Sequence, residues 1–309
     1  MYVRFMMSRS YSQIVYPCAV MNKNKDYIHS FRHRLIGLAV VIGLLALPVL
    51  KGLWQLWHCD KTFDGLLLVP FMCGFILYRS KDEFTSCGPR AVKWMLYILP
   101  ITFGGMFAAP VYELPRIAGL LLVFNLLIVS FGILGYSNHR LFVGPFLFLM
   151  LMVPPPQPAV EFLTVNLQKF FSMIMEPAMT GFSGSFLERS GFEFWFAGID
   201  YPMIIAPECS GIRSLLGFVI MSSFFAVFDR HSIAGAVLMI TAGSVTALGL
   251  NFLRIFATMQ MRACGLEEYT VGFWHGLLGI AVFMVGCVTL SRFSRFLRPI
   301  DRQNQKEVR

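Results

Sequence analysis

CSGIRSLLGFVIMSSFFAVFDRHSIAGAVLMITAGSVTALGLNFLRIF, residues 209–256, decides how the chain folds. Its two halves, 210–228 and 232–256, are continuous apolar runs separated by the polar Asp229-Arg230-His231. Each is long enough to cross a hydrocarbon core of ~30 Å as a helix rising ~1.5 Å per residue. Neither half breaks into the alternating segments of about ten residues that a membrane barrel uses, so the spans are helices. Three chemically active residues, Cys209, Arg213 and Arg254, lie within or beside these runs.

The pattern extends outward on both sides. The 309 residues are 56% hydrophobic and 14% charged, where soluble domains average about 25% charged. Apolar runs at 35–50, 65–79, 93–110, 116–135, 140–153, 210–228, 232–256 and 271–290 predict an all-α polytopic membrane protein of about eight transmembrane helices. Several runs are shorter than a normal span, so their ends extend into flanking residues. The net charge of +9 does not indicate nucleic acid, because Lys and Arg gather beside the apolar runs. With the N-terminus inside, segments 1–34, 79–93, 136–140, 229–231 and 291–309 carry 18 of the 26 Lys and Arg. That bias predicts cytoplasmic N- and C-termini in a cytoplasmic (inner) membrane, with lipid around the spans. It divides the chain into a basic N-terminal segment 1–34, a membrane domain 35–290 and a basic tail 291–309. The N-terminal residues lack a signal-peptide core, and Met21 opens a basic lead-in, MNKNKDYIHSFRHR, that reads as an alternative start.

Residues 154–209 form the one long outer insert. VPPPQP at 153–158 ends a helix. Val160, Leu163, Leu167, Phe170, Phe171 and Ile174 then recur at helical spacing over 159–175, predicting an extracytoplasmic amphipathic helix at the interface. The aromatic and β-branched stretch FEFWFAGIDYPMII, 192–205, with a turn signal at Gly198-Ile199-Asp200, predicts a short hairpin before the sixth span. An ordinary amphipathic linker is the plainer reading of the same residues.

Orientation brings three candidate catalytic residues to one membrane face. Cys209 begins span six on the outside. Arg254 comes 22 residues after Ser232, ~33 Å along a helix that starts inside. His275 lies about one turn into span eight, which starts outside. Cys209 at a helix N-terminus, close to cations, favours thiolate over thiol. His275 is placed to act as general acid/base. Arg254 is placed to hold an oxyanion or orient a scissile carbonyl. Ser210 would cap the helix, Gly211 would admit close approach of another chain, and Asn251, on the same helix face as Arg254, would orient it. Arg213, one turn beyond Cys209, is an alternative functional cation or a second one. The seven cysteines show no paired or metal-ligand spacing, and no metal or cofactor is called for. The bland alternatives are a Cys serving as apolar filler, an interfacial His, and an Arg snorkelling to the surface, although an Arg inside an apolar run is costly and usually functional.

The blocks APECSGIRS (206–214), NFLRI (251–255) and FWHGLLG (273–279) together resemble the exosortase/archaeosortase family. The resemblance covers about residues 57–290 and is strongest over 145–282. It implies a membrane cysteine transpeptidase with Cys209 as nucleophile, Arg254 as the carbonyl-stabilising cation and His275 as acid/base. It also implies substrates that are exported proteins with a C-terminal sorting tail: a short Pro-Glu-Pro-like motif, a transmembrane helix and a basic end. Cleavage would pass the new C-terminus to an acceptor through a thioacyl-enzyme, with the site on the periplasmic side. The first outer loop departs from the family's pattern. It reads WHCDKTFDG, keeping Trp57, Asp60 and Gly65 in kind, with Asp64 where a His is usual.

Three other classes compete. GFSG, 181–184, matches the Gly-x-Ser-Gly of a rhomboid-like serine protease, but it lies between Glu176-Pro177 and Glu188-Arg189, outside a useful apolar run. A transporter would use Arg254 as an anchor for a substrate anion. Such folds often show repeated halves, and none is visible in this sequence. A structural assembly subunit is the third and weakest alternative.

Overall fold

A computed structural model describes residues 46–83, 93–134, 139–184, 186–266 and 272–307. The chain forms two compact units, one from Met1–Leu53 and Leu77–Phe146, the other from Trp54–Ile76 and Leu147–Arg309. The elements in chain order are α1 (46–59), a 3-10 helix Lys61–Leu67, α2 (Leu68–Arg79), α3 (Lys93–Val111), α4 (Pro115–Leu134), α5 (His139–Leu149) and α6 (Gln157–Phe182). Three strands follow, β1 (Phe186–Ser190), β2 (Glu193–Phe196) and β3 (Met203–Ile204), then α7 (Ile212–Phe228), α8 (Ile233–Ala263) and α9 (Gly272–Glu307).

In the first unit α3 packs against α4. A buried polar pair joins them: Thr102 Oγ1 donates to Asn125 Oδ1 at 2.6 Å, which satisfies an amide that is 2% exposed among apolar neighbours.

The second unit is built on α7, α8 and α9. Phe218, Ala247 and Leu290 form its buried centre. Small residues set the spacing, as is usual where helices meet without water. A Cβ at Gly243 would lie 2.7 Å from Ser222 Oγ and 3.0 Å from the Phe218 carbonyl oxygen, and one at Gly286 only 2.2 Å from Phe218 Cζ. Ser232 caps α8 by accepting from the Gly235 N–H at 3.1 Å. Beside that cap, the buried Asp229 accepts from Ser294 Oγ and pairs with Arg298 of α9. Ser294 Oγ in turn stands 3.0 Å from His231 Nε2. Away from the centre, Ile233, Val245, Leu253, Ile280, Met284 and Val288 are exposed, a large apolar surface of the kind that faces lipid.

Among the described residues four helices are long and apolar enough to cross a membrane: Lys61–Arg79, Pro207–Phe228, Ile233–Ala263 and Gly276–Arg298. A fifth is a pair, Leu141–Met152 with Gln157–Phe182, bent by 80°. Among the described residues, four or five of the eight expected spans are met. The expected 93–110 and 116–135 are helices whose apolar parts, Tyr97–Val111 and Pro115–Phe131, are shorter than a span. Most of 35–50 lies outside the described residues, and α1 continues past 50 to 59.

The bend follows from VPPP. Three consecutive prolines supply no N–H and force extended backbone before α6 starts at Gln157. Trp57 fixes it, its Nε1 donating to the Met152 carbonyl at 2.8 Å. α6 runs longer than the expected 159–175 and buries one stripe: Val160, Leu167, Gln168, Phe171, Ser172, Met175 and Met179. Beyond it the expected hairpin is β2–β3, whose connection holds Gly198-Ile199-Asp200. The sequence reading missed β1, which pairs antiparallel with β2 to complete a sheet of order β1-β2-β3. Arg189 of β1 bonds Glu176 of α6 at 2.8 Å, and the buried Gln168 Nε2 donates to the Ile205 carbonyl at 2.8 Å. These two ties hold the sheet, and hence the approach to Cys209, against α6.

Candidate active site

The path to Cys209 is tightly specified. Ile205 is buried and hydrogen-bonds back to Phe192. Pro207–Cys209 then form one 3-10 turn, with the Cys209 N–H on the Ala206 carbonyl at 2.8 Å. Gly211 follows at φ +84°, a conformation that L side chains rarely adopt, and redirects the chain into α7. Gly211, rather than Ser210, therefore occupies the N-cap position of α7. Ser210 is fully buried and accepts only a long contact, 3.4 Å, from the Ile212 N–H. Its expected capping role passes to the left-handed glycine.

Gly211 also has the close approach expected of it, and the neighbour is Asn251. A Cβ at Gly211 would fall 2.6 Å from Asn251 Nδ2. That same amide nitrogen donates to the Cys209 carbonyl at 3.2 Å, while Asn251 Oδ1 is buried without a hydrogen-bond partner. Asn251 thus ties α8 to the Cys209 turn and does not hydrogen-bond Arg254. The helical spacing that put both residues on one face is met; the orienting role is not.

Cys209 is half-buried and its thiol is free. Asn251, whose side chain reaches the Cys209 carbonyl, lies three residues before Arg254 on α8, so the α8 face that carries the Arg254 guanidinium meets the Cys209 turn at the mouth of α7. α9 closes on the same guanidinium, because a Cβ at Gly279 would lie 3.9 Å from Arg254 Cζ. His275 precedes Gly279 by one helical turn, in the first turn of α9. Residues four apart share a helix face, so the backbone puts His275 on the face of α9 that meets Arg254. Its side chain lies outside the described residues. Arg213 is exposed at the second position of α7.

The loop whose role was open is part of the same neighbourhood. Asp60 caps the Lys61–Leu67 helix by accepting from the Thr62 N–H at 2.8 Å. Burial works against its ionisation, but the Thr62 bond, with smaller help from Gln157 and the charge of Arg213, holds its carboxyl below the usual carboxylate range. Ser183 of the GFSG motif is the C-cap of α6, where that helix gives way to β1. Among the described residues no three His, Cys, Asp or Glu gather as metal ligands would.

Several helices long and apolar enough to cross a membrane make this a multi-pass membrane protein. The chain matches the family profile described as transmembrane exosortase (Exosortase_EpsH) over residues 54–292 and belongs to that family. No curated protein and no solved structure matches it.

Proposed function

We propose that this protein is a cysteine transpeptidase of the membrane that processes the C-terminal sorting tails of exported proteins. The Cys209 thiolate attacks the scissile carbonyl carbon. Negative charge gathers on the carbonyl oxygen and is met by the Arg254 guanidinium. The C–N bond then breaks, and His275 delivers the proton that the leaving amine needs. The thioacyl-enzyme is resolved by an acceptor amine, hydroxyl or water, which gives its proton to His275 as the C–S bond breaks. The observation that carries this reading is that Asn251, three residues before Arg254 on α8, donates to the Cys209 carbonyl, within a chain of the exosortase family. Asn251 and Gly211 fix the Cys209 backbone, so the nucleophile is held without reorganisation.

The same reading assigns topology. The basic segments 1–34 and 291–309 are cytoplasmic, α6 lies along the outer interface with its buried stripe toward the protein, and the site opens to the periplasmic side. Single changes Cys209→Ala, Arg254→Ala and His275→Ala test the chemistry, with the size of a tailed substrate followed in cells. Unprocessed substrate accumulates in all three while the membrane protein persists at normal level. Processing that survives Cys209→Ala but stops with Ser183→Ala overturns the assignment in favour of a serine nucleophile. Normal processing in all three removes Arg254 to a transport role.

A further inference from the structure

The last strand of the sheet leads directly into the Cys209 turn, with Cys209 five residues after Ile204. In the order β1-β2-β3, β1 and β3 each keep one edge that no strand of this sheet covers. The β1 edge is blunted: its register slips between Phe186 and Glu188, and Arg189 is drawn to Glu176 of α6. The β3 edge has no such guard. Glu193 stands opposite Ile204 and Phe194 opposite Met203, and the Ile205 N–H donates to the Phe192 carbonyl at 3.1 Å. Main-chain groups alternate in direction along a strand, so Met203 and Ile205 turn theirs toward β2 and Ile204 turns its N–H and carbonyl outward. Pro202 and Pro207 have no N–H, and the Ala206 N–H bends back to the Ile204 carbonyl at 3.0 Å. Within residues 202–207 the outward donor is therefore the Ile204 N–H. Its side chain is also exposed. The edge is held firmly. Gln168 Nε2 donates to the Ile205 carbonyl at 2.8 Å, the Arg262 guanidinium of α8 lies 4.6 Å from the centre of the Tyr201 ring, and Asn251 of the same helix holds the Cys209 carbonyl. Asn251 and Arg262 are ~16 Å apart along α8, so the stretch 201–209 is pinned to that helix at both ends.

We propose that the open edge of β3 is the docking strand for the polypeptide substrate: residues just upstream of the scissile bond add to the sheet in extended form at Ile204 and are led from there to Cys209. This rests on the proposed function for the identity of the occupant. A backbone donor aimed outward from a pinned strand edge takes the carbonyl of another extended chain, the pairing that strand addition uses. The direction follows from the chemistry. β3 runs toward Cys209, and the acyl side of the substrate must also run toward the sulfur that attacks its last carbonyl, so the two strands are parallel. The reach follows from chain length. Ile204 and Cys209 are at most ~18 Å apart along the chain, which an extended substrate covers in ~5 residues. Main-chain pairing is indifferent to most side chains, so this edge supplies affinity and alignment, while sequence preference belongs to the residues around the sulfur.

Disulfide trapping in membranes reads the pairing. Ile204→Cys is placed in the full chain together with Cys59→Ser, Cys264→Ser and Cys209→Ala, which remove the exposed thiols and the nucleophile. Single cysteines are placed in turn through the ~8 residues upstream of the scissile bond of a co-expressed tailed protein, whose cut site is mapped with the unaltered chain. Mild oxidation then links Ile204→Cys to every second substrate position, strongest within ~5 residues of the cut, because alternate residues of a strand share a face. Links at every third or fourth position, equal links at all positions, links confined to the far side of the scissile bond, or none at all overturn the proposal. A second measurement keeps Cys209 and removes the donor. Ile204→Pro deletes the outward N–H, spares the bonds to β2 and leaves Met203 in the extended form it already has. Processing falls about fivefold, the share of one hydrogen bond, while labelling of Cys209 by a small uncharged maleimide is unchanged. Ile204→Val keeps the N–H and processes within about twofold of the unaltered chain. Unchanged processing in Ile204→Pro, or an equal fall in Ile204→Val, overturns the proposal; should Ile204→Pro lose Cys209 labelling through misfolding, the trapping pattern decides. Trapping requires no turnover. If processing survives Cys209→Ala while alternate positions are trapped, the proposed chemistry falls and the docking edge stands; if processing needs Cys209 and nothing is trapped, the docking edge alone falls.

Discussion

Gly211 has no room for a side chain and no ordinary backbone in which to hold one. Its φ of +84° costs an L residue about 1–2 kcal/mol, and the added methyl would also meet Asn251 Nδ2 at 2.6 Å and Cγ at 2.7 Å. Gly211→Ala therefore lowers stability by about 2 kcal/mol or more, read as a drop in thermal midpoint in detergent. Gly211→Ala combined with Asn251→Ala recovers only the steric share, since the backbone strain remains. Alone, Asn251→Ala removes the bond to the Cys209 carbonyl and costs about 1 kcal/mol. Asn251→Asp keeps the shape but aims an acceptor at an acceptor, so substrate processing falls further than in Asn251→Ala; equal processing in the two would remove the carbonyl tie from the site. These contacts mark the limit of sequence reading. Counting along span seven put Arg254 at the level of Cys209, because rise per residue is fixed. The i, i+3 rule put Asn251 on the face of Arg254, but a face does not say which neighbour an amide chooses. That choice is made by the α7–α8 approach, which only the folded packing sets.

At the scale of elements, the α7–α8–α9 assembly depends on small residues at crossing points. Gly243→Val puts a branched side chain against Ser222 and against the Phe218 carbonyl oxygen, 3.0 Å from the Cβ position. The expected loss is about 1–3 kcal/mol. Ser222→Ala does not restore it, because the Cβ of residue 222 stays 2.8 Å away and the Phe218 carbonyl oxygen 3.0 Å away; full rescue by Ser222→Ala would show both contacts to be unimportant. The far end of the assembly is held by charge. Arg298→Ala leaves the buried Asp229 with Ser294 and without its counter-ion, lowering stability by about 2 kcal/mol, less than for a fully buried pair because Arg298 is partly exposed. Some elements were readable in advance. α7 and α8 were, since their apolar runs are long and separated by the polar Asp229-Arg230-His231, although the cap of α7 falls on Gly211 and not on the expected Ser210. β1 was not, because Glu188 and Arg189 break its apolar pattern and its order comes from pairing with β2 and from the bond to Glu176.

For the whole molecule the decisive quantity is direction. α8 has 31 residues, ~46 Å of helix, against a hydrocarbon core of ~30 Å. With Ser232 at the inner surface, Arg254 reaches the outer boundary and Cys264 stands beyond it. Cys59, just before the Lys61–Arg79 span, belongs to the same side as Cys209 on this topology. Both Cys59 and Cys264 are exposed thiols, so each is a reporter already in place. A membrane-impermeant maleimide applied to spheroplasts should modify Cys59 and Cys264 directly, whereas a cysteine introduced by Arg230→Cys, at the α7–α8 turn, should react only after the membrane is opened. The reverse pattern would put the thiol and Arg254 on the cytoplasmic side, where an exported tail is presented before translocation, and the processing reaction would have to precede export. Labelling of Cys59 and Cys264 from opposite sides would break the common face that joins this loop to Cys209, because a loop anchored to the Met152 turn and packed on α7 cannot stand across the bilayer from the mouth of that helix.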